Sequence, residues 1–317
     1  MNESTAGIVE PLDLIVRRRK ITGMSAVFLP FTAKGTVDWD GFEHHLERTL
    51  NAGLMPAVNM DTGSIQFLDG ADRQRVLDTT RAQTGSFVAG ACVQDEEGAA
   101  LDADSYRKAF AEIVERGGTP VVFPSWGLNA LEDAAWVEAL ANLTRELPAF
   151  IGFELGAQFV PYGRIISLDT YAVMMSLPNC IGAKHSSLDR GLEWQRLRLR
   201  NEQRPEFMVL TGNDLAIDMV MYGSDYLLGL SSFAPEAFAH RDRLWERGAE
   251  AFYGLNDLLQ YLGQLVFRAP TPSYKHSAAQ FLAMTGTIAE SACPPGVTPR
   301  PEGDLILLRD IAARLGF

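Results

Sequence analysis

From Gly23 onward the chain alternates short, continuously apolar runs with longer segments whose apolar residues recur at helical spacing. The apolar runs fall at residues 24–29, 55–59, 86–91, 120–123, 149–153, 180–183, 207–210 and 225–229. Helical patterns occupy 40–51, 71–84, 104–116, 131–147, 168–175, 188–200, 215–221 and 235–248. A strand that is apolar at successive positions is buried on both faces, as a parallel sheet covered by helices requires. Eight such runs alternating with eight helices predict an α/β fold, a closed (β/α)8 TIM barrel, with an open doubly wound sheet as the competing arrangement. After residue 249 the strand pattern stops. Helical patterns at 252–267, 274–285 and 304–315 are separated by proline-rich stretches at 269–272 and 293–295, which predicts a C-terminal helical appendage. The chain therefore divides into an N-terminal extension (1–22), a barrel (23–249) and a C-terminal helical region (250–317).

Composition narrows the classes of function. The 317 residues carry a formal net charge of −12, which opposes nucleic acid and anionic membrane as partners, since both need a basic face. The only basic run, Arg17-Arg18-Arg19-Lys20, reads as a solvated or interface segment ahead of the first strand. No apolar run approaches the roughly 20 residues needed to cross a bilayer, so a cytoplasmic protein is expected. Cys92, Cys180 and Cys293 are odd in number and far apart, which suggests reduced thiols rather than a disulfide framework or a zinc site.

The chemistry concentrates at the carboxyl ends of the strands, where such barrels build their sites. Pro30-Phe31-Thr32, Asp61-Thr62-Gly63-Ser64, Pro124-Ser125-Trp126, Glu154, Lys184, Thr211-Gly212-Asn213-Asp214 and Ser231-Ser232 all fall there. Lys184 ends the apolar run Ile181-Gly182-Ala183. Burying an ammonium is costly, and a lysine in such a place commonly answers with a lowered pKa, which leaves a neutral amine able to attack a carbonyl. Strand alternation turns His185 away from the barrel axis, and Asp214 is expected to cap the helix after it.

The order of these segments resembles the dihydrodipicolinate synthase and N-acetylneuraminate lyase family of class I aldolases, over roughly residues 23–235. Leu29-Pro30-Phe31-Thr32 is similar to its first strand-end turn, Met60-Asp61-Thr62-Gly63-Ser64 to its Gly-(Thr/Ser)-Thr-Gly-Glu loop, and Pro124-Ser125-Trp126 to its Pro-Tyr-Tyr segment. Gly182-Ala183-Lys184-His185-Ser186-Ser187 is similar to the segment that holds its Schiff-base lysine, and Gly212-Asn213-Asp214 and Gly229-Leu230-Ser231-Ser232 follow in the family's order. The resemblance implies that Lys184 condenses with the ketone of a 2-oxo acid or related small carbonyl compound, without a cofactor or metal. It also implies a homodimer or homotetramer paired through the loop holding Trp126. Asp61, Thr62, Gly63, Trp126, Arg164 and Ser231 are the substrate-binding positions it suggests.

Three departures matter. The family's relay tyrosine at strand five is missing from Gly152-Phe153-Glu154, so Glu154 is expected to carry the proton, with Tyr162 as the next surrogate. Asp61 stands where a threonine helps hold the substrate carboxylate. Ionised, it would repel a 2-oxo acid and favour hydroxyl, amine or aldehyde groups. Arg164 is the residue available for the family's distal arginine. Two rival readings accompany the imine-forming enzyme: a metal-dependent lyase using Asp61, Glu154, His185 and Asp214, and a barrel that binds a small carbonyl compound without turnover.

Overall fold

A computed structural model describes residues 10–317. The first nine residues of the expected N-terminal extension lie outside the described residues. Eight parallel strands close into a barrel in sequence order, β1 Gly23–Ala26, β2 Met55–Val58, β3 Val88–Ala91, β4 Thr119–Val122, β5 Phe150–Leu155, β6 Cys180–Ser186, β7 Met208–Thr211 and β8 Asp225–Leu228, with β8 returning to β1. This is the (β/α)8 barrel rather than the open sheet.

The helices between strands have local reasons to start and stop. The first, α1 (Trp39–Ala52), begins where the Asp38 side chain accepts from the Gly41 amide and ends at Gly53, whose φ of 86° a side chain would resist. α2 (Gly70–Gln83) and α3 (Ala103–Val114) start on Asp69 and Asp102 in the same manner. The loop after β4 holds a short helix the pattern did not suggest, α4 (Trp126–Asn129), capped by Ser125, ahead of α5 (Asp133–Thr144). α6 (Leu168–Ser176) and α7 (Arg190–Gln203) flank β6. The pattern at 215–221 forms a 3₁₀ turn, Ile217–Tyr222, rather than an α-helix, before α8 (Pro235–Arg247).

Alternation along the strands sorts their side chains. Met24, Ala26, Ala57, Val121, Ile151, Phe153, Leu155, Leu210 and Leu227 pack together inside the barrel, while Phe150, Cys180, Ala183 and Val209 face the helices. The C-terminal helices α9 (Ala251–Val266), α10 (Tyr274–Met284) and α11 (Asp304–Leu315) share one apolar cluster with β8 and α8, through Leu228, Leu230, Phe238, Leu259, Phe281 and Leu308. Gly263 lets α9 approach the loop after β7: a Cβ there would lie 2.4 Å from the Asp214 carbonyl oxygen. The helical region thus continues the barrel's packing, and it brings the start of α10 to the barrel mouth. Among the described residues no helix is long and apolar enough to cross a membrane.

Candidate active site

β6 runs further than its apolar pattern suggested, so Lys184 sits inside the strand rather than at its end. Its neighbours in register are Phe153 on β5 and Leu210 on β7, both lumenal. The Lys184 Nζ lies 4.5 Å from the centroid of the Phe153 ring, and only 6% of the residue is exposed. Gly212, in the turn after β7, packs directly on this stem: a Cβ there would stand 2.8 Å from Lys184 Cε and 2.1 Å from Ser186 Oγ, so a side chain would push both aside. Among the described residues no carboxylate forms an ion pair with Lys184. Burial pushes its amine down to about 8, against the opposing pull of Asp214 and Asp61.

Asp214 answers from the loop after β7. Burial pushes its carboxyl up to about 7, although the Leu230 amide, 2.7 Å from Oδ1, and Lys184 favour the charged form. It does not cap the turn that follows, as sequence suggested: the Ile217 amide is met instead by Gln260 Oε1 of α9 at 2.8 Å. A lysine and a carboxyl that both titrate near neutrality can act together, one as nucleophile and the other as proton carrier.

The expected proton carrier, Glu154, is elsewhere. It is one residue past Phe153, so alternation turns it out of the lumen toward α7, in register with His185. There Oε1 and Oε2 each accept from Arg196 at 2.7 Å, Oε2 lies 2.7 Å from His185 Nδ1, and Oε1 also accepts from the Ile166 amide at 3.1 Å. Burial alone would raise this carboxyl, but His185 and Arg196 outweigh it and hold it below the usual range. Saturated and ionised, Glu154 ties α7 to the barrel wall. The assignment of the relay to it is corrected by the geometry.

Asp61 follows β2 and is also ionised, for a reason the sequence did not reveal. Lys275 of α10 donates to its Oδ1 at 2.8 Å, Gln66 donates to the same oxygen at 2.7 Å, and the Tyr274 hydroxyl donates to Oδ2 at 2.9 Å. Burial would raise the carboxyl; the Lys275 ammonium and these hydrogen bonds prevail and lower it. Thr62 lies 3.0 Å from the same Tyr274 hydroxyl, whose ring stacks on Phe267 at 4.2 Å. Gly63 packs on the residue just past β1, where a Cβ would be 3.5 Å from the Val27 carbonyl oxygen. A buried Asp61 requires a compensating cation, and that requirement was the available signal for a buried lysine in the C-terminal region.

Tyr162, in the loop after β5, packs against the lumenal cluster with its ring 5.5 Å from that of Trp126. Burial raises its phenol above the usual value, as do the charges of Cys92, Asp61 and Asp95. Trp126 is half-buried, and its amide bonds Asp95 at 2.9 Å. Arg164 and Ser231 are not brought to the site. The Arg164 guanidinium pairs with Asp133 and the Leu131 carbonyl, on the helix side of the β5 loop. Ser231 bonds the Ser25 hydroxyl at 3.0 Å and the Leu228 carbonyl at 2.9 Å, behind lumenal Met24 and Ala26. The four groups of the metal reading also separate: Glu154 and His185 pair on the outer face of the wall, while Asp61 and Asp214 lie in the loops after β2 and β7. Among the described residues no group of three His, Cys, Asp or Glu side chains could hold a metal ion.

A closed (β/α)8 barrel with a buried lysine on its sixth strand is therefore the class of molecule in hand. No family model matches the chain, and no curated protein sequence does. Solved structures do match. A monomeric dihydrodipicolinate synthase variant is similar at a TM-score of 0.78 and 18% identity, over 95% of this chain and 98% of that one. Dihydrodipicolinate synthase from Thermotoga maritima is similar at 0.76 and 19%, over 94% and 99%. A prophage protein of the dihydrodipicolinic acid synthase family from E. coli K12, in complex with pyruvate, is similar at 0.76 and 16%, over 93% and 98%. The fold is that of the dihydrodipicolinate synthase structures across nearly the whole chain.

Proposed function

We propose that the protein is an imine-forming lyase or aldolase that acts on a small carbonyl compound through Lys184. One observation carries the reading: a lysine buried in the lumen without an ion-pair partner among the described residues, its amine lowered to about 8. In this reading the neutral amine adds to the carbonyl carbon, forming a C–N bond. The carbinolamine then loses its oxygen as water, with a proton supplied by Asp214. The resulting iminium draws electrons from the adjacent carbon, which eases making or breaking the next C–C or C–O bond. The Phe153 ring, 4.5 Å from Nζ, is suited to stabilising the iminium charge through its face but cannot move a proton. Asp214 takes the role first given to Glu154, with Tyr162 at the mouth as a second proton carrier.

Structurally similar proteins described in complex with pyruvate make three-carbon carbonyl compounds the ligands to begin with. Borohydride reduction in the presence of such compounds should add the mass of one ligand less one oxygen atom, since imine formation expels water and reduction adds two hydrogens, mapped to Lys184 and absent from Lys184→Ala. Adducts confined to Lys34 or Lys275 would overturn the reading.

A further inference from the structure

The direction of the hydrogen bonds around Asp61 says what the first loop can recognise. Asp61 is ionised and only accepts. Tyr274 has a single hydroxyl proton and lies 2.9 Å from Asp61 Oδ2 and 3.0 Å from Thr62 Oγ. The proton goes to the carboxylate, the stronger acceptor. The contact with Thr62 is then made with the threonine's own proton, donated to the Tyr274 oxygen. The chain Thr62 to Tyr274 to Asp61 uses both hydroxyl protons, and among the described residues no further donor fills the remaining lone pairs on Thr62 Oγ and Asp61 Oδ2. The second carboxylate oxygen, Oδ1, is already filled by Lys275 and Gln66.

Gly229 packs on this loop, where a Cβ would lie 3.0 Å from Thr62 Oγ, and the next residue, Leu230, bonds Asp214 Oδ1 through its amide at 2.7 Å, which brings the loop to the Asp214 side of the mouth above Lys184. A ligand held at Lys184 with its next carbon toward this loop meets acceptors. A carboxylate there would set anion beside anion and could reach Lys275 only by displacing Asp61 from it. A hydroxyl would donate into the unfilled lone pairs without disturbing the ion pair.

We propose that Asp61 and Thr62, held by Tyr274 and Lys275 of α10, form an acceptor subsite for a hydroxyl on the carbon next to the reacting carbonyl. The substrate class is then a small α-hydroxy ketone or aldehyde rather than a 2-oxo acid. This rests on the imine chemistry of Lys184 proposed above, and it gives the C-terminal helices a direct part in specificity.

Hydroxyacetone and pyruvate share a three-carbon skeleton and differ at one end, hydroxymethyl against carboxylate. Each is incubated with the protein, the imine is reduced by hydride from borohydride to a stable secondary amine, and the rate of mass gain at Lys184 is divided by that of Nα-acetyl-lysine. The normalised rate should favour hydroxyacetone by at least about tenfold, as expected where a site pairs a ligand hydroxyl. Equal or faster trapping of pyruvate would overturn the subsite alone. Trapping of neither at Lys184 would overturn the imine reading and the subsite with it. In the double variant Asp61→Thr, Lys275→Met, which removes both charges of the pair together, the preference should swing at least about tenfold toward pyruvate. An unchanged ratio in a folded double variant overturns the proposal, and if that variant does not fold the wild-type ratio decides by itself.

Discussion

The two faces of one stretch of barrel wall hold buried ionisable groups a residue apart and treat them in opposite ways. On the outer face Glu154 is filled by Arg196, His185 and the Ile166 amide. On the inner face Lys184 has an aromatic ring beside it and a carboxyl whose ionisation burial resists. A buried charge with every lone pair satisfied is held in one protonation state and contributes position; one left unsatisfied is free to change state near neutral pH. Burial alone therefore does not mark a reactive group. What separates the two faces is whether the partners of each group are already in place.

That comparison can be broken by experiment. Its outer side predicts the largest effect on stability: Arg196→Met, which leaves the buried Glu154 carboxylate only His185 and the Ile166 amide, should cost about 3–5 kcal/mol. Urea unfolding would measure this, and the surviving folded protein should still trap a carbonyl ligand at Lys184 with the wild-type pH dependence. A shifted profile would mean that Glu154 and Lys184 act as one system.

On the inner side, Asp214→Asn should keep the fold and lower turnover by roughly a hundredfold, the loss typical when general acid–base help is removed. Because the Asp214 charge favours the ammonium of Lys184, its removal should also move the midpoint of imine formation to lower pH. Unchanged turnover and midpoint in this variant would hand the proton to Tyr162.

The stability of the two proteins should then differ with pH in a defined window. The Asp214 carboxyl is raised by folding from 3.8 to about 7, so its neutral form contributes stability that is full below about pH 4 and lost as pH rises through 7. Relative to Asp214→Asn, the wild type should lose stability across that interval with a slope of at most about 1.4 kcal/mol per pH unit, one proton's worth. A flat difference in unfolding free energy between pH 4 and 7 would contradict a raised carboxyl. The smallest effect is expected from Phe153→Leu, which removes the ring face beside Nζ and should slow trapping by a factor corresponding to about 0.5–2 kcal/mol. Trapping as fast as wild type would leave the ring a packing role only.

Much of this was legible in the chain itself. Eight continuously apolar runs alternating with helices could only bury both faces as a covered parallel sheet, and the resemblance of Gly182-Ala183-Lys184 to the family's lysine segment put Lys184 in the lumen. The two-residue period then turned His185 outward. It applied equally to Glu154, one residue beyond Phe153, but β5 carries no polar residue before Glu154 to show which face is wet, so its direction came from its register with β6. Arg164 and Ser231 were misplaced because loop residues have no period, and only their partners, Asp133 and Ser25, fixed where they point.

Asp61 marks the boundary between the two kinds of knowledge. Its position after β2 and its conflict with an anionic ligand were written in the sequence. Its charge state was decided by Lys275, 214 positions further along the chain. A strand's period is a property of neighbouring residues, whereas an ion pair across that distance exists only once the barrel has closed and its last helices have packed onto it.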